Sequence, residues 1–137
     1  MPQDTWIVYA DGASRGNPGP AAIGAVIYDP QGREVHRLSQ RIGRATNNVA
    51  EYRAAIAALE AALALGVSQV ELRMDSELVV RQLGGRYRVR NPVLSKLFAR
   101  LQELRWRFGA LEAVSIPREE NRLADKLANE ALNRGVE

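Results

Sequence analysis

Four acidic side chains stand where a carboxylate is either costly or useful: Asp11, Glu51, Asp75 and Asp125. Asp11 closes one apolar, strand-like run and Asp75 closes another. Strands disfavour Asp, and burying an unpaired carboxylate is expensive. Both residues precede loop or helix breaks, the place where open α/β sheets put their ligands. If those two strands are parallel neighbours, the carboxylates converge. Four carboxylates in a chain with zero cysteines would form a hard, all-oxygen donor set. Such a set suits Mg²⁺, with Mn²⁺ as a substitute, and the chemistry open to it is metal-assisted hydrolysis.

Each residue also has a local structural explanation. Asp75-Ser76 makes a reasonable helix N-terminal signal. Asn48-Val49-Ala50-Glu51 has the spacing of a capping box, in which Glu51 would reach back to the first backbone amide. Asp125 falls in the first turn of the last helix, where its charge complements the helix dipole.

The elements that must position these residues can be read from periodicity. Residues 5–11 alternate as a first strand, residues 12–20 form a glycine- and proline-rich loop, and residues 21–28 are a second apolar strand. Pro30-Gln31-Gly32 turns the chain into a third strand over 34–42. Helical spacing of Val49, Tyr52, Ile56, Leu59 and Leu63 predicts a helix over 48–65, stopped by Gly66. Val70, Leu72 and Met74 alternate in a fourth strand, and a short helix over 76–83 ends at Gly84-Gly85. Pro92 then opens a helix to about residue 108, with Leu94, Leu97, Phe98, Leu101 and Leu104 on its buried side. A fifth strand over 111–116 and a helix over 121–133 complete the order βββαβααβα. There is no repeat or linker, so residues 1–137 read as one α/β domain with helices on both faces of a mixed sheet.

The absence of cysteine excludes disulfides, thiolate zinc sites and a cysteine nucleophile, and points to a reducing, cytoplasmic setting. No basic stretch leads into an apolar one ahead of Trp6, so no secretory signal is expected. The apolar region 54–65 is broken by Glu60 and falls short of the roughly 20 residues a spanning helix needs. The formal net charge is +3, but residues 81–107 alone carry eight cations against Glu103, or +7, leaving −4 elsewhere. A local basic surface suits a polyanion; a solvated helix face is the other reading.

Read with their flanks, the carboxylates gain a shared context. Asp11-Gly12-Ala13-Ser14-Arg15-Gly16-Asn17-Pro18-Gly19, Thr46-Asn47-Asn48-Val49-Ala50-Glu51, Asp75-Ser76-Glu77 and Asn121-Arg122-Leu123-Ala124-Asp125 resemble, in order and spacing, the signature segments of the type 1 ribonuclease H family. The resemblance implies a five-stranded mixed sheet of order 3-2-1-4-5 with strand two antiparallel. It also implies hydrolysis of the RNA strand of RNA–DNA hybrids, leaving 5′-phosphate and 3′-hydroxyl ends. Two Mg²⁺ ions about 4 Å apart would take part, Asp11 bridging both, Glu51 and Asp75 holding one and Asp125 the other.

By the same resemblance, Asn17, Asn47 and Asn48 would read the RNA 2′-hydroxyl, and Thr46 would help form a pocket for a DNA-strand phosphate. Arg86, Arg88, Arg90 and Lys96 are candidates for backbone contacts. Arg118 would approach the scissile phosphate or serve in an ion pair. Two departures stand out. The interval between the fourth and fifth strands is too short for the extra basic helix of many relatives, so the Arg86–Arg90 segment would take over part of its role. Where many relatives carry a mobile histidine, ten residues before Asp125, this chain has Ser115; the sole histidine, His36, is expected at a surface or edge. The expected partner is an RNA–DNA hybrid, with no membrane contact and a monomeric chain. The rivals are another nuclease on the same fold, such as a resolvase or transposase core, and a non-catalytic hybrid-binding module.

Overall fold

The computed structural model describes residues 4–85 and 91–134. Its first three strands, β1 (Thr5–Ser14), β2 (Gly19–Tyr28) and β3 (Glu34–Ala45), form an antiparallel meander. Helix α1 (Asn47–Ala64) leads to β4 (Gln69–Met74), which returns parallel to β1. Helices α2 (Glu77–Leu83) and α3 (Pro92–Arg105) precede β5 (Ala110–Ser115), parallel to β4. A single 3₁₀ turn (Arg118–Glu120) then introduces α4 (Arg122–Arg134). The sheet order is β3-β2-β1-β4-β5, with only β2 antiparallel to the others. This is the order and the strand sense the resemblance implies.

Helices α1 and α3 cover one face of the sheet and α4 the other. The main core unites Val8, Ala10, Ile27, Leu72 and Met74 of the strands with Tyr52 and Leu59 of α1 and Leu101 and Leu104 of α3. On α1 the expected large residues contribute unevenly. Tyr52 and Leu59 are fully buried, whereas Ile56 and Leu63 only pack against the margin of the core. The buried stripe is instead largely alanine: Ala50, Ala54, Ala55, Ala58 and Ala62. Small side chains let the helix axis lie close to the sheet, so burial comes from close approach rather than from bulk.

Two glycines make the closest approaches possible. A Cβ on Gly12 of β1 would lie 2.2 Å from the backbone of Ala50, and one on Gly24 of β2 would lie 2.2 Å from the carbonyl oxygen of Ala124. One glycine seats the first turns of α1 on its face and the other seats α4 on the opposite face.

The segment expected as a loop over 12–20 is mostly strand. Gly12, Ala13 and Ser14 pair with Ile23, Ala22 and Ala21, and the Arg15 N–H donates to Pro20 O at 2.8 Å. Hairpin hydrogen bonds override the turn-prone composition. Strand β3 likewise runs on to Ala45, with Ser14 Oγ donating to Ala45 O at 2.7 Å. Helix α3 stops earlier than expected, at Arg105. Capping is clear at three helices: Thr46 accepts from Val49 N–H, Ser76 from Val79 N–H, and Asn91 from the N–H groups of Val93 and Leu94, with Pro92 in the first turn.

Candidate active site

Strands β1 and β4 pair up to Tyr9↔Arg73 and then separate, because β1 continues against β2 while β4 ends at Met74. Asp11 and Asp75 stand at this divergence. Asp11 therefore does not terminate its strand; it sits inside β1 at the point where its parallel neighbour leaves. Opposite it in register is Gly24, the position that admits α4.

Glu51 is delivered by α1 and Asp125 by α4, from opposite faces of the sheet. The expected capping role of Glu51 is not what the structure shows. Thr46 is the N-cap, so the third helical position is Val49, and Glu51 lies two residues too far along to close a capping box. Ser76 caps α2, leaving the Asp75 carboxylate outside the cap. Asp125 does lie in the first turn of α4, as its dipole reading required.

All four carboxylates line one polar cavity of about 280 Å³, together with Asn47, Arg118, Ser14 and Arg15. Asp11 is only 6% exposed. Burial, followed by the charge of Asp75 and contact with Asp125, pushes its carboxyl up to about 9. Burial also raises Glu51; a hydrogen bond from Ser76 pulls it back down, and Asp75 adds a smaller upward push. Three further contacts hold the acids in place. Asn121 Nδ2 donates to Asp75 Oδ1 at 3.2 Å and to Ala10 O at 3.0 Å, and Asn129 Nδ2 donates to Asp125 Oδ1 at 3.3 Å.

Burial first, and then the negative charge gathered around it, disfavour the ionised form of Asp11. A divalent cation would supply the missing counter-charge, and the all-oxygen donor set is of the right kind. Among the described residues, no three acidic or histidine side chains are already closed around a single point. The acids instead face an open cavity. That suits a cation which keeps several waters and takes its remaining ligands from one or two carboxylates and a phosphate. Asp11, Glu51, Asp75 and Asp125 are the carboxylates that line this cavity.

The other expected contacts divide. Asn47 lines the cavity, and its backbone N–H is held by Asn17 Oδ1 at 3.1 Å. Thr46 caps α1, and Asn48 is exposed beside it without lining the cavity. Arg118 lines the cavity and, among the described residues, has no ion-pair partner. Lys96 lies in a separate groove with Val49, Arg53 and Pro92. Arg86, Arg88 and Arg90 fall outside the described residues. Ser115 pairs with Met74 at the end of β5 and does not line the cavity, while His36 is exposed on the edge strand β3.

Sequence reasoning does not single out Asn121, Ser76 and Asn129 as groups that touch the carboxylates. The available signal is Asn121 opening the last motif, since an amide preceding an apolar helix reads as a cap rather than as a buried donor. A second cavity of about 380 Å³, lined by Ile7, Tyr9, Val26 and Tyr28, is more apolar and gathers no group of carboxylates.

A mixed sheet of this order, with carboxylates gathered where β1 and β4 part, defines an α/β protein of ribonuclease H-like fold. A family model described as "Reverse transcriptase-like" matches residues 9–131. The crystal structure of RNase H1 from the halophilic archaeon Halobacterium salinarum NRC-1 superposes with a TM-score of 0.93 and 48% identity, covering 96% of this chain and 99% of that one. LC11-RNase H1 in complex with an RNA/DNA hybrid superposes with a TM-score of 0.91 and 47% identity, covering 96% and 99%. The "Bifunctional protein Rv2228c" of Mycobacterium tuberculosis is 48% identical over 128 residues, which are 93% of this chain but 35% of that protein. The chain thus spans about a third of the length of that relative. The chain belongs to the ribonuclease H family.

Proposed function

We propose that this chain is an endoribonuclease that hydrolyses the RNA strand of RNA–DNA hybrids with the aid of divalent cations, Mg²⁺ by preference and Mn²⁺ as a substitute. The observation that carries the reading is one cavity into which β1, α1, α4 and the end of β4 each bring a carboxylate. The hybrid bound by LC11-RNase H1, a protein 47% identical to this chain, supports the substrate class.

Asp11, Glu51, Asp75 and Asp125 would hold the ions. Two divalent cations bound there would activate the attacking water and offset the charge of the departing 3′ oxygen, leaving 5′-phosphate ends. The chain's own part is to place and neutralise. Burial keeps Asp11 out of bulk water, so its charge, once a bound cation has displaced the proton, would act with little screening. Asn129 steadies Asp125. Arg118 reaches the same cavity, where its guanidinium can meet a phosphate oxygen.

RNA is distinguished by the 2′-hydroxyl, which both donates and accepts a hydrogen bond. Asn17, Asn47 and Asn48 cluster at the start of α1 and beside the β1–β2 turn, with the first two linked directly. Thr46 Oγ accepts from Val49 N–H at 3.2 Å, so its own proton is available to a DNA-strand phosphate. Arg86, Arg88, Arg90 and Lys96 complete the reading as contacts to the hybrid backbone. The zero cysteine count supports a reducing, cytoplasmic setting, and one continuous sheet supports a single catalytic domain over 1–137. Among the described residues, no helix is long and apolar enough to cross a membrane. All four carboxylates come from one chain, which supports action as a monomer.

The test is cleavage of a labelled hybrid with Mg²⁺, Mn²⁺ or chelator, alongside double-stranded DNA and double-stranded RNA. The reading requires metal-dependent cutting of the RNA strand alone, with 5′-phosphate products. Equal cutting of double-stranded DNA would move the chain to a resolvase-like role, and no cutting at all would make it a binding module.

A further inference from the structure

We infer that Asn121 is a positioning residue that sets the distance between Asp11 and Asp75 by tying the Asp75 carboxylate to the backbone of β1; this rests on the metal-site reading above. The backbone ladder between β1 and β4 ends at Tyr9↔Arg73, so no main-chain hydrogen bond between those strands fixes Asp75 relative to Asp11. Asn121 supplies the tie. Its Nδ2 donates one proton to Ala10 O at 3.0 Å, the carbonyl immediately before Asp11, and the other to Asp75 Oδ1 at 3.2 Å.

Both neighbours are acceptors, so the NH₂ end of the amide must face them. Among the described residues the amide oxygen meets no hydrogen-bond donor, although Asn121 is only 1% exposed. The orientation of the amide is therefore set by the two donors on its nitrogen. Few other side chains place two N–H groups at this reach: Asp has no donor, and Ser has one. The anchor is itself rigid. Asn121 precedes α4 and its backbone carbonyl accepts from Asp125 N–H at 3.1 Å, so the same residue ties a third carboxylate's helix to the pair. Glu51 lies outside this tie.

The consequence is read most directly without nucleic acid, by calorimetric titration of Mn²⁺ into the full chain, which separates this inference from the proposed activity. Asn121→Ala should weaken Mn²⁺ binding at least about tenfold, as expected for loss of a group that orients a metal ligand. In hybrid cleavage the same variant should lower kcat with KM nearly unchanged. Against an Asp75→Asn background, where the carboxylate is already gone, Asn121→Ala should change Mn²⁺ affinity by less than about twofold, since the two side chains act as one unit. If alanine prevents folding, Asn121→Ser keeps one donor and should show the same coupling to Asp75. Wild-type Mn²⁺ affinity in the folded variant, or an undiminished loss in the Asp75→Asn background, would overturn the inference.

Discussion

Gly12 and Glu51 meet through backbone alone: a Cβ on Gly12 would come within 2.5 Å of the Glu51 nitrogen and within 2.2 Å of the preceding carbonyl group. One site carboxylate is therefore placed by the absence of a side chain beside another, Asp11. Gly12→Ala must push α1 off the sheet. Overpacking of this kind costs about 1–3 kcal/mol or more, and it moves Glu51 relative to Asp11. Denaturant unfolding should show the stability loss, and hybrid cleavage should fall by more than stability alone explains. A variant with wild-type turnover would show that the close approach has no bearing on the site.

Asp11 offers a pH-dependent test in the presence of chelator. Its carboxyl is pushed up from the ordinary 3.8 to about 9, chiefly by burial and then by Asp75 and Asp125. A folded-state value above the unfolded one means that the protonated form favours the fold. Its contribution is full below about pH 4 and is lost as the pH rises through about 9. Metal-free protein should therefore lose stability across that window, and Asp11→Asn should flatten the loss and melt higher than wild type at neutral pH. Thermal unfolding from pH 4 to 9 checks this; identical profiles for the two proteins would contradict it.

The same variant should cut no hybrid while keeping its far-ultraviolet circular dichroism. Adding Mg²⁺ should raise the melting temperature of wild type through preferential binding to the folded state, and should do little for Asp11→Asn. Equal upward shifts in both would place the ion elsewhere.

Asn17 is tested through its bond to the Asn47 N–H. Asn17→Ala removes one neutral hydrogen bond, worth about 0.5–1.5 kcal/mol, and loosens the start of α1. A few-fold rise in KM for the hybrid and weaker discrimination between RNA and DNA strands should follow, with kcat at saturating substrate much less affected.

Replacing Arg86, Arg88 and Arg90 together by alanine should reduce the salt dependence of hybrid binding, the log–log slope falling by about 0.9 for each phosphate that is no longer neutralised. An unchanged slope would mean that the basic stretch is only a solvated surface.

Much of the fold and site is legible in the sequence, and the gaps have physical causes. Strand β2 announces itself as a continuous apolar run, β4 by alternation and α1 by its 3.6-residue spacing. The end of β1 is hidden because Gly12, Ala13 and Ser14 look like loop residues, and only cross-strand pairing with β2 makes them strand. Glu51 is masked by a plausible capping pattern, and the hydroxyl of Thr46, at the start of the same motif, settles which residue caps. Asn121 is invisible as a tie because its partners, Ala10 and Asp75, are 111 and 46 residues away. Lys96 groups with the site by charge, yet the groove it lines is separate from the carboxylates.

The most direct test of the central claim is manganese anomalous diffraction from crystals of this chain grown with Mn²⁺ and an RNA–DNA hybrid. Anomalous density is expected in the cavity lined by Asp11, Glu51, Asp75 and Asp125, against the RNA strand. Ordered hybrid with Mn²⁺ absent from that cavity, or bound only elsewhere, would contradict the claim.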